Sequence, residues 1–125
     1  MSVNSMKLSL IVPCYNEAEN VAAFQQAVVT AFDGCGYDYE IVYIDDGSRD
    51  ATLHNLKKLH AANTCPVQII SFSRNFGKEA GIYAGLEHAR GDYISLIDAD
   101  LQQRPELVRQ MVQILEAEPQ VDVVA

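Results

Sequence analysis

Two aspartates separated by one residue stand out as a possible cation site. Asp98 and Asp100 follow an apolar run, and Gln102 places an amide oxygen close behind them. Carboxylates at positions i and i+2 of an extended segment project to the same side of the chain. Oxygen ligands of this kind suit Mg²⁺ or Mn²⁺. The pattern predicts a metal site, and the alternative is that both aspartates cap the turn and helix that follow.

A second acidic group lies in the segment Asp45-Asp46-Gly47-Ser48. Adjacent carboxylates at a strand end point to opposite sides, so we expect one of the two to face a cleft. There it would accept hydrogen bonds from a nucleobase or a ribose. Asp-Gly is also a common turn dipeptide, and Ser48 or Asp50 can cap the next helix. Taken alone, this segment favours the turn.

Side chains that suit a nucleotide occur in two further loops. Tyr15 offers a flat apolar face for stacking on a base, and the alternative is a half-buried aromatic at a strand end. Arg74 and Lys78 are cations in a glycine-containing loop and suit a diphosphate, although a single lysine is more often a solvated surface charge. Cys14 has no histidine placed to activate it, so we expect no nucleophile there.

These polar groups follow short β-rich segments that alternate with helical ones. The predicted strands recur about every 30 residues, close to the size of a βαβ unit. They are residues 8–12, 40–44, 67–72, 93–97 and 121–124. The alternation predicts an α/β fold, a Rossmann-like sandwich with a mostly parallel sheet and helices on both faces. Ligands of such sheets bind outside the carboxyl ends of the strands, where the polar groups lie.

Three helical segments carry signals beyond their apolar spacing. Asn16 is the predicted N-cap of the first helix, with Glu19 completing a capping box. The third helix contains Gly81 and Gly85, which are poor helix formers and indicate close packing or a nearby ligand. Pro105 is predicted at the first position of the fourth helix.

Composition excludes several classes of protein. The 125 residues are 49% hydrophobic and 21% charged, as in one globular domain. The formal net charge of −8 repels phosphate backbones and argues against nucleic-acid binding. Three separated cysteines without a CxxC pair argue against a disulfide framework and are typical of a cytoplasmic protein. No GxGxxG segment opens the first helix, which argues against a dinucleotide-dependent dehydrogenase.

Four ordered segments resemble family 2 glycosyltransferases of the GT-A fold. They are Ile-Val-Pro-Cys-Tyr-Asn-Glu at 11–17, Ile-Asp-Asp-Gly-Ser-Arg-Asp at 44–50, Ser-Arg-Asn-Phe-Gly-Lys at 73–78 and Asp-Ala-Asp-Leu-Gln at 98–102. Within that family the chain is most similar to the polyprenyl-phosphate sugar transferases, which include bactoprenol glucosyltransferases and dolichyl-phosphate mannose synthases. The resemblance covers nearly the whole chain, from about Leu8 to Ala125.

This resemblance implies an inverting transfer of a sugar from a UDP- or GDP-linked donor to a polyprenyl phosphate. The implied nucleotide-binding residues are Pro13, Tyr15, Glu17, Asp45 or Asp46, Lys78 and Asp98. The implied ligands of Mg²⁺ or Mn²⁺ are Asp98, Asp100 and Gln102. The metal would neutralise charge on the leaving nucleoside diphosphate. Two alternatives stay open, a non-catalytic nucleotide-sugar-binding module and a family 2 transferase with a non-lipid acceptor.

The resemblance also implies that the acceptor site, the catalytic base and the membrane-associated helices lie beyond Ala125. We therefore expect residues 1–125 to form a single nucleotide-sugar-binding unit of a longer enzyme, truncated after the fifth strand, and we assign no catalytic residue. We expect the chain by itself to transfer no sugar and to self-associate through the edge formed by residues 121–124. The longer protein would lie at the cytoplasmic face of a membrane.

Overall fold

The β-rich and helical segments fold as four successive strand–helix units. The structure is a computed structural model, and it describes residues 6–117. Its elements are β1 (Met6–Cys14), α1 (Val21–Ala31), β2 (Tyr39–Asp45), α2 (Thr52–Ala62), β3 (Val67–Ser71), α3 (Lys78–His88), β4 (Gly91–Leu96) and α4 (Pro105–Ala117). The predicted alternation is confirmed for these four units.

Two expectations concern the last residues of the sequence, which lie outside the described residues. The predicted fifth strand, residues 121–124, is one of them, so self-association through its edge stays a prediction. The other concerns Ala125, beyond which we expect the catalytic base. The position of the base therefore also stays a prediction.

The four strands form one parallel sheet in the order β3-β2-β1-β4. The chain winds outward from β1 to β3 and then returns through α3 to the other side of β1. The direction in which successive strands are added to the sheet therefore reverses between β1 and β4. In open α/β sheets this reversal point is where ligands bind.

Strand register sets the level of the loops that leave the sheet. Cys14 at the end of β1 is paired with Asp45, and Asp45 with Ser71, so β1, β2 and β3 end side by side. The last pairing with β4 joins Ile11 to Leu96. The strand β4 therefore ends beside Ile11, three residues before the end of β1, and the segment after β4 continues alongside the last residues of β1.

Helices cover both faces of the sheet, as predicted. The larger core lies under α1, α2 and α4, where alternate strand residues such as Leu10 and Tyr43 pack against Phe24 and Val108. The smaller core consists of Ile11, Val42 and Ile44 with flanking apolar side chains, and α3 packs on this face. The core on the α3 face is therefore the smaller of the two.

Two glycines allow the close approach of α3. A Cβ atom on Gly85 would lie 2.7 Å from Cγ2 of Ile11, and one on Gly81 would lie 3.4 Å from Cγ2 of Ile44. The first distance is far below ordinary van der Waals contact, so a larger residue at Gly85 would displace either the helix or the isoleucine side chains under it. The prediction of close packing at these glycines is confirmed.

Two predicted helix starts have different outcomes. Pro105 is the first residue of α4, as predicted. The predicted Asn16 cap is wrong, because α1 begins at Val21 after Asn20 and has no side-chain cap. Asn16 instead adopts a positive φ of 54°, and its side-chain oxygen accepts the backbone N–H of Arg49 at 2.9 Å. A contact between loops has replaced the local cap.

A buried carboxylate ties the strands together near their amino ends. Glu40 in β2 is fully buried. Its oxygens accept hydrogen bonds from the Ser9 hydroxyl (2.6 Å), the Gln68 amide (2.8 Å) and the backbone N–H of Arg90 (2.8 Å). Burial acts to raise the pKa of Glu40, but these hydrogen bonds and the Arg90 charge outweigh it, so the pKa lies below its ordinary value. No pattern in the sequence indicates this network.

The helices of residues 6–117 are short or polar: not one of them combines the length and apolar character needed to cross a membrane.

Candidate functional site

A crevice opens between the carboxyl ends of β1 and β4, at the reversal point of the sheet. Its first depression, of about 210 Å³, is lined by Pro13, Cys14, Tyr15, Glu17, Asp46, Lys78 and Asp98. A second depression, of about 170 Å³, shares three of these residues and is completed by Ile82, Leu96, Ile97 and Gln103. The fold therefore brings together every predicted nucleotide-binding residue except Asp45.

Asp45 and Asp46 are both buried but have different partners. Asp45 accepts the backbone N–H of Ser48 at 3.2 Å, which is the turn-forming role. Asp46 lines the crevice, and its two oxygens accept the backbone N–H groups of Phe76 (2.7 Å) and Gly77 (3.0 Å). Asp45, the last residue of β2, and Asp46, just after it, therefore have different roles, as expected for neighbouring carboxylates at a strand end.

The loop that carries Tyr15 and Glu17 is held by the turn after β2. The backbone N–H of Asn16 donates to the Ser48 hydroxyl at 2.9 Å, and the backbone N–H of Glu17 donates to the Thr52 hydroxyl at 2.9 Å. These bonds fix the backbone beside Tyr15, whose side chain is 44% exposed at the crevice. Thr52 could not be found from the sequence because its partner lies 35 positions away.

The alternative that Ser48 or Asp50 is the N-cap of α2 is wrong, because Ala51 holds that position and makes no side-chain cap. Asp50 instead bonds to the first residue of the helix from one position earlier. Its carboxylate accepts the backbone N–H of Thr52 at 2.9 Å at the start of α2, and also the Thr52 hydroxyl. A further bond comes from the backbone N–H of Ala18 at 3.3 Å. The Thr52 hydroxyl bond is the main reason that the pKa of Asp50 lies below its ordinary value.

Lys78 and Asp98 face each other across the crevice. The Lys78 ammonium lies 3.2 Å from Oδ1 of Asp98, and the two side chains are 64% and 47% exposed. An ion pair this open to water contributes little to stability. Both charges are therefore available to an incoming ligand at small cost.

The segment 98–102 differs from the predicted extended strand. The strand β4 ends at Leu96, and the chain turns at Ala99 and Asp100. Oδ1 of Asp100 accepts the backbone N–H of Gln102 at 3.2 Å, so the turn-capping alternative holds for Asp100. The expectation that both carboxylates project to one side of a strand is wrong, because the strand ends before either of them.

The oxygen ligands that this turn offers suit a metal ion whose coordination is completed by a substrate. Across residues 6–117, no three histidine, cysteine or acidic side chains form a ready-made metal-binding group. Asp98 lines the crevice, while Asp100 and Gln102 are exposed next to it. Mg²⁺ commonly takes one or two protein carboxylates and fills its other positions with water and phosphate oxygens. Two aspartates and one amide match that type of site.

Two other side chains from the polar loops, Arg74 and Cys14, have contacts or burial that indicate a structural role. The Arg74 guanidinium lies 4.7 Å from the centre of the Phe76 ring, outside the crevice lining. Burial raises the pKa of the Cys14 thiol, which keeps it protonated, in agreement with the expectation that it is no nucleophile. The apolar residues of the second depression were missed because an apolar residue at a strand end carries no distinguishing signal.

Solved glycosyltransferase structures share this fold. A mannosyltransferase from Pyrobaculum calidifontis in complex with GDP-Man and Mn²⁺ superposes with a TM-score of 0.78, at 24% identity, over 94% of this chain and 34% of that one. S. aureus TarS 1-349 in complex with UDP superposes with a TM-score of 0.77, at 23% identity, over 91% of this chain and 33% of that one. The predicted GT-A fold is confirmed.

Sequence comparison identifies the family. A bactoprenol glucosyl transferase homolog from an Escherichia coli prophage is 43% identical over 108 residues, which are 86% of this chain and 35% of that protein. A dodecaprenyl-phosphate galacturonate synthase from Rhizobium johnstonii is 39% identical over 114 residues, 91% of this chain and 34% of that protein. The chain spans about a third of the length of the curated relatives it matches. Residues 9–125 match the family described as "Glycosyl transferase family 2". The chain belongs to glycosyl transferase family 2.

Proposed function

We propose that this chain is the donor-binding unit of an inverting glycosyltransferase that transfers a sugar from a UDP- or GDP-linked donor to a polyprenyl phosphate. The observation that carries the proposal is the crevice at the reversal point of the sheet, where an aromatic ring, acidic groups and one lysine converge. The acceptor class is supported by two relatives, whose names refer to bactoprenol and to dodecaprenyl phosphate.

In the proposed complex the nucleoside lies against the loop that follows β1. Tyr15 stacks on the base with its exposed ring, and Pro13 and Glu17 line the same depression. Because the Ser48 and Thr52 hydroxyls hold the backbone of this loop, Tyr15 is positioned before the donor arrives. Preorganisation of this kind lowers the entropic cost of binding.

The diphosphate lies toward Lys78 and the segment 98–102. Asp98, Asp100 and Gln102 would hold Mg²⁺ or Mn²⁺, which when bound neutralises charge on the leaving nucleoside diphosphate. The Lys78 ammonium adds positive charge from the start of α3, and on donor binding its ion-pair partner changes from Asp98 to a phosphate oxygen. Since the pair is open to water, this exchange costs little.

Residues 1–125 form one nucleotide-sugar-binding unit on this proposal, and the acceptor site and catalytic base belong to a longer protein, in the part beyond Ala125. That protein acts at the cytoplasmic face of a membrane, where a nucleotide sugar and a polyprenyl phosphate can meet. No residue is assigned as the base, because the described residues that line the crevice include no histidine and their carboxylates are assigned to the nucleotide and the metal.

A thermal-shift screen tests the donor class. UDP, GDP and their sugar conjugates are added with and without Mn²⁺, and we expect one nucleotide series to raise the melting temperature only when Mn²⁺ is present. Asp38→Asn, an exposed carboxylate before β2 and away from the crevice, serves as the control and should respond like the parent. No shift with any nucleotide would contradict donor binding.

A transfer assay tests the reaction. The longer protein should transfer radiolabelled sugar from its preferred donor to a polyprenyl phosphate, whereas residues 1–125 alone should not. Transfer by the short chain would show that the catalytic groups lie within it. Binding without transfer by the longer protein would favour a non-catalytic nucleotide-sugar-binding module.

A further inference from the structure

The loop between β3 and α3, residues 72–77, is attached to the turn that follows β2. Oδ1 of Asp46 accepts the backbone N–H of Phe76 at 2.7 Å, and Oδ2 accepts the backbone N–H of Gly77 at 3.0 Å. The Asn75 amide donates to the backbone oxygen of Asp46 at 3.2 Å. Because successive N–H groups bind separate oxygens of one carboxylate, the loop is fixed in both position and direction.

Backbone contact reinforces this attachment. Gly47 has a φ of +70°, and a Cβ atom there would lie 2.2 Å from the carbonyl carbon of Arg74 and 2.3 Å from the amide nitrogen of Asn75. Only glycine has both the conformational freedom and the lack of a side chain that this approach requires. The turn after β2 and the loop after β3 therefore pack as one unit.

The attachment ends directly before Lys78. Gly77, whose N–H is held by Asp46, precedes α3, and Lys78 is its first residue. The Lys78 ammonium then reaches Asp98 at 3.2 Å, on the opposite side of the crevice. A lysine side chain has four flexible carbons, so where its charge lies depends on how firmly its backbone is held.

We propose that Asp46 is a positioning residue, which holds residues 75–77 and thereby places the Lys78 ammonium at the crevice. The inference rests on the proposed function, since it concerns how the same site meets a diphosphate. Both oxygens of Asp46 already accept charge-assisted backbone hydrogen bonds, which are the stronger kind. On this proposal the effect of Asp46 on donor binding passes through Lys78.

A double-mutant cycle tests this route. The variants are Asp46→Asn, Lys78→Met and the two combined, with Asp38→Asn as an exposed control. Dissociation constants for UDP and for GDP are measured with Mn²⁺ by calorimetry. We expect each single change to weaken binding roughly tenfold and the double variant to bind about as Lys78→Met does. If the fold-losses in affinity of the two single variants multiply in the double variant, the proposal is overturned. In that case Asp46→Asn weakens binding as much without Lys78 as with it, which indicates direct contact or general destabilisation.

Amide hydrogen exchange tests the attachment without any ligand. In Asp46→Asn one carboxylate oxygen becomes an amide group, so we expect faster exchange at Phe76 or Gly77, and unchanged exchange in the sheet, compared with Asp38→Asn. Unchanged protection at both amides would overturn the proposal. If the parent protein binds neither nucleotide, the proposed function fails, and the exchange data still decide whether Asp46 holds the loop.

Discussion

Glu40 and Asp98 are acidic residues at opposite ends of the strands of the same sheet, and their surroundings differ sharply. Glu40 is fully buried near the amino ends of the strands, and three side chains or backbone groups donate to it within 2.8 Å. Asp98 is about half exposed at the carboxyl ends and meets Lys78 at 3.2 Å. A carboxylate whose acceptor positions are filled by the protein is structural, whereas one with open positions can take a ligand.

Packing explains why the two edges differ. At the amino edge, a Cβ atom on Gly91 would lie 2.5 Å from the amide nitrogen of Ser9, so the chain enters β4 with no space beside β1. At the carboxyl ends of the strands, the loops after β1, β2 and β4 and the start of α3 leave the crevice between them. Backbone contact therefore closes the amino ends of β1 and β4, whereas the loops at the carboxyl ends leave an open crevice.

The largest expected effect is a loss of stability at the closed edge. Glu40→Ala leaves the Ser9 hydroxyl, the Gln68 amide and the Arg90 N–H without their acceptor, and we expect the free energy of unfolding to fall by about 3 kcal/mol. Urea denaturation measures the change. Glu87→Ala, on the exposed side of α3, is the matched control and should stay within about 0.5 kcal/mol of the parent. Equal effects of the two changes would mean that the network is not structural.

At the open edge we expect a loss of binding with little loss of stability. Asp98→Asn combined with Asp100→Asn should remove Mn²⁺-dependent nucleotide binding, a loss of roughly 2–3 kcal/mol in binding free energy, since contacts to charged groups are worth about that much. Titration calorimetry with and without Mn²⁺ measures it, and urea denaturation checks the fold. Binding of the Mn²⁺ complex as tight as in the parent would contradict the metal assignment.

A smaller contrast is expected at the end of β2, between neighbouring aspartates. Asp46→Asn should weaken nucleotide binding by about 1–2 kcal/mol, and Asp45→Asn should weaken it less, because Asp46 holds the loop before Lys78 and Asp45 bonds to its own turn. Dissociation constants of the two variants, measured side by side, give the contrast. Equal and negligible losses would assign both residues to turn formation.

The smallest expected effect is a dependence of stability on pH. Because the pKa of Glu40 is lowered in the folded protein, its contribution is fully present above the ordinary value of 4.5 and is lost as the pH falls through the folded pKa. Denaturation of the parent and of Glu40→Gln, repeated between neutral and acidic pH, isolates this part. We expect the difference in unfolding free energy between the two proteins to shrink as the pH falls. A constant difference would show that the Glu40 pKa is not lowered.

Local features of the sequence were sufficient for the elements and for most of the polar residues that line the first depression of the crevice. Apolar periodicity predicted the strand–helix alternation, and Pro105 fixed the start of α4, because both signals act within a few residues. Residues at strand ends were correctly placed at one edge, since parallel strands all end on the same side. Asn16 failed as a cap because its side chain bonds to Arg49, 33 positions along the chain, in place of its own helix.

Only the tertiary structure decided the crevice and the contacts that join different elements. The order β3-β2-β1-β4 created the crevice, the register of β4 placed Asp98 beside β1, and the packing of the loops gave Asp46 its partners at Phe76 and Gly77. The Glu40 network likewise joins three strands and the start of β4. Each of these depends on groups tens of residues apart, whose meeting is set by chain winding and close packing and leaves no periodic trace in the sequence.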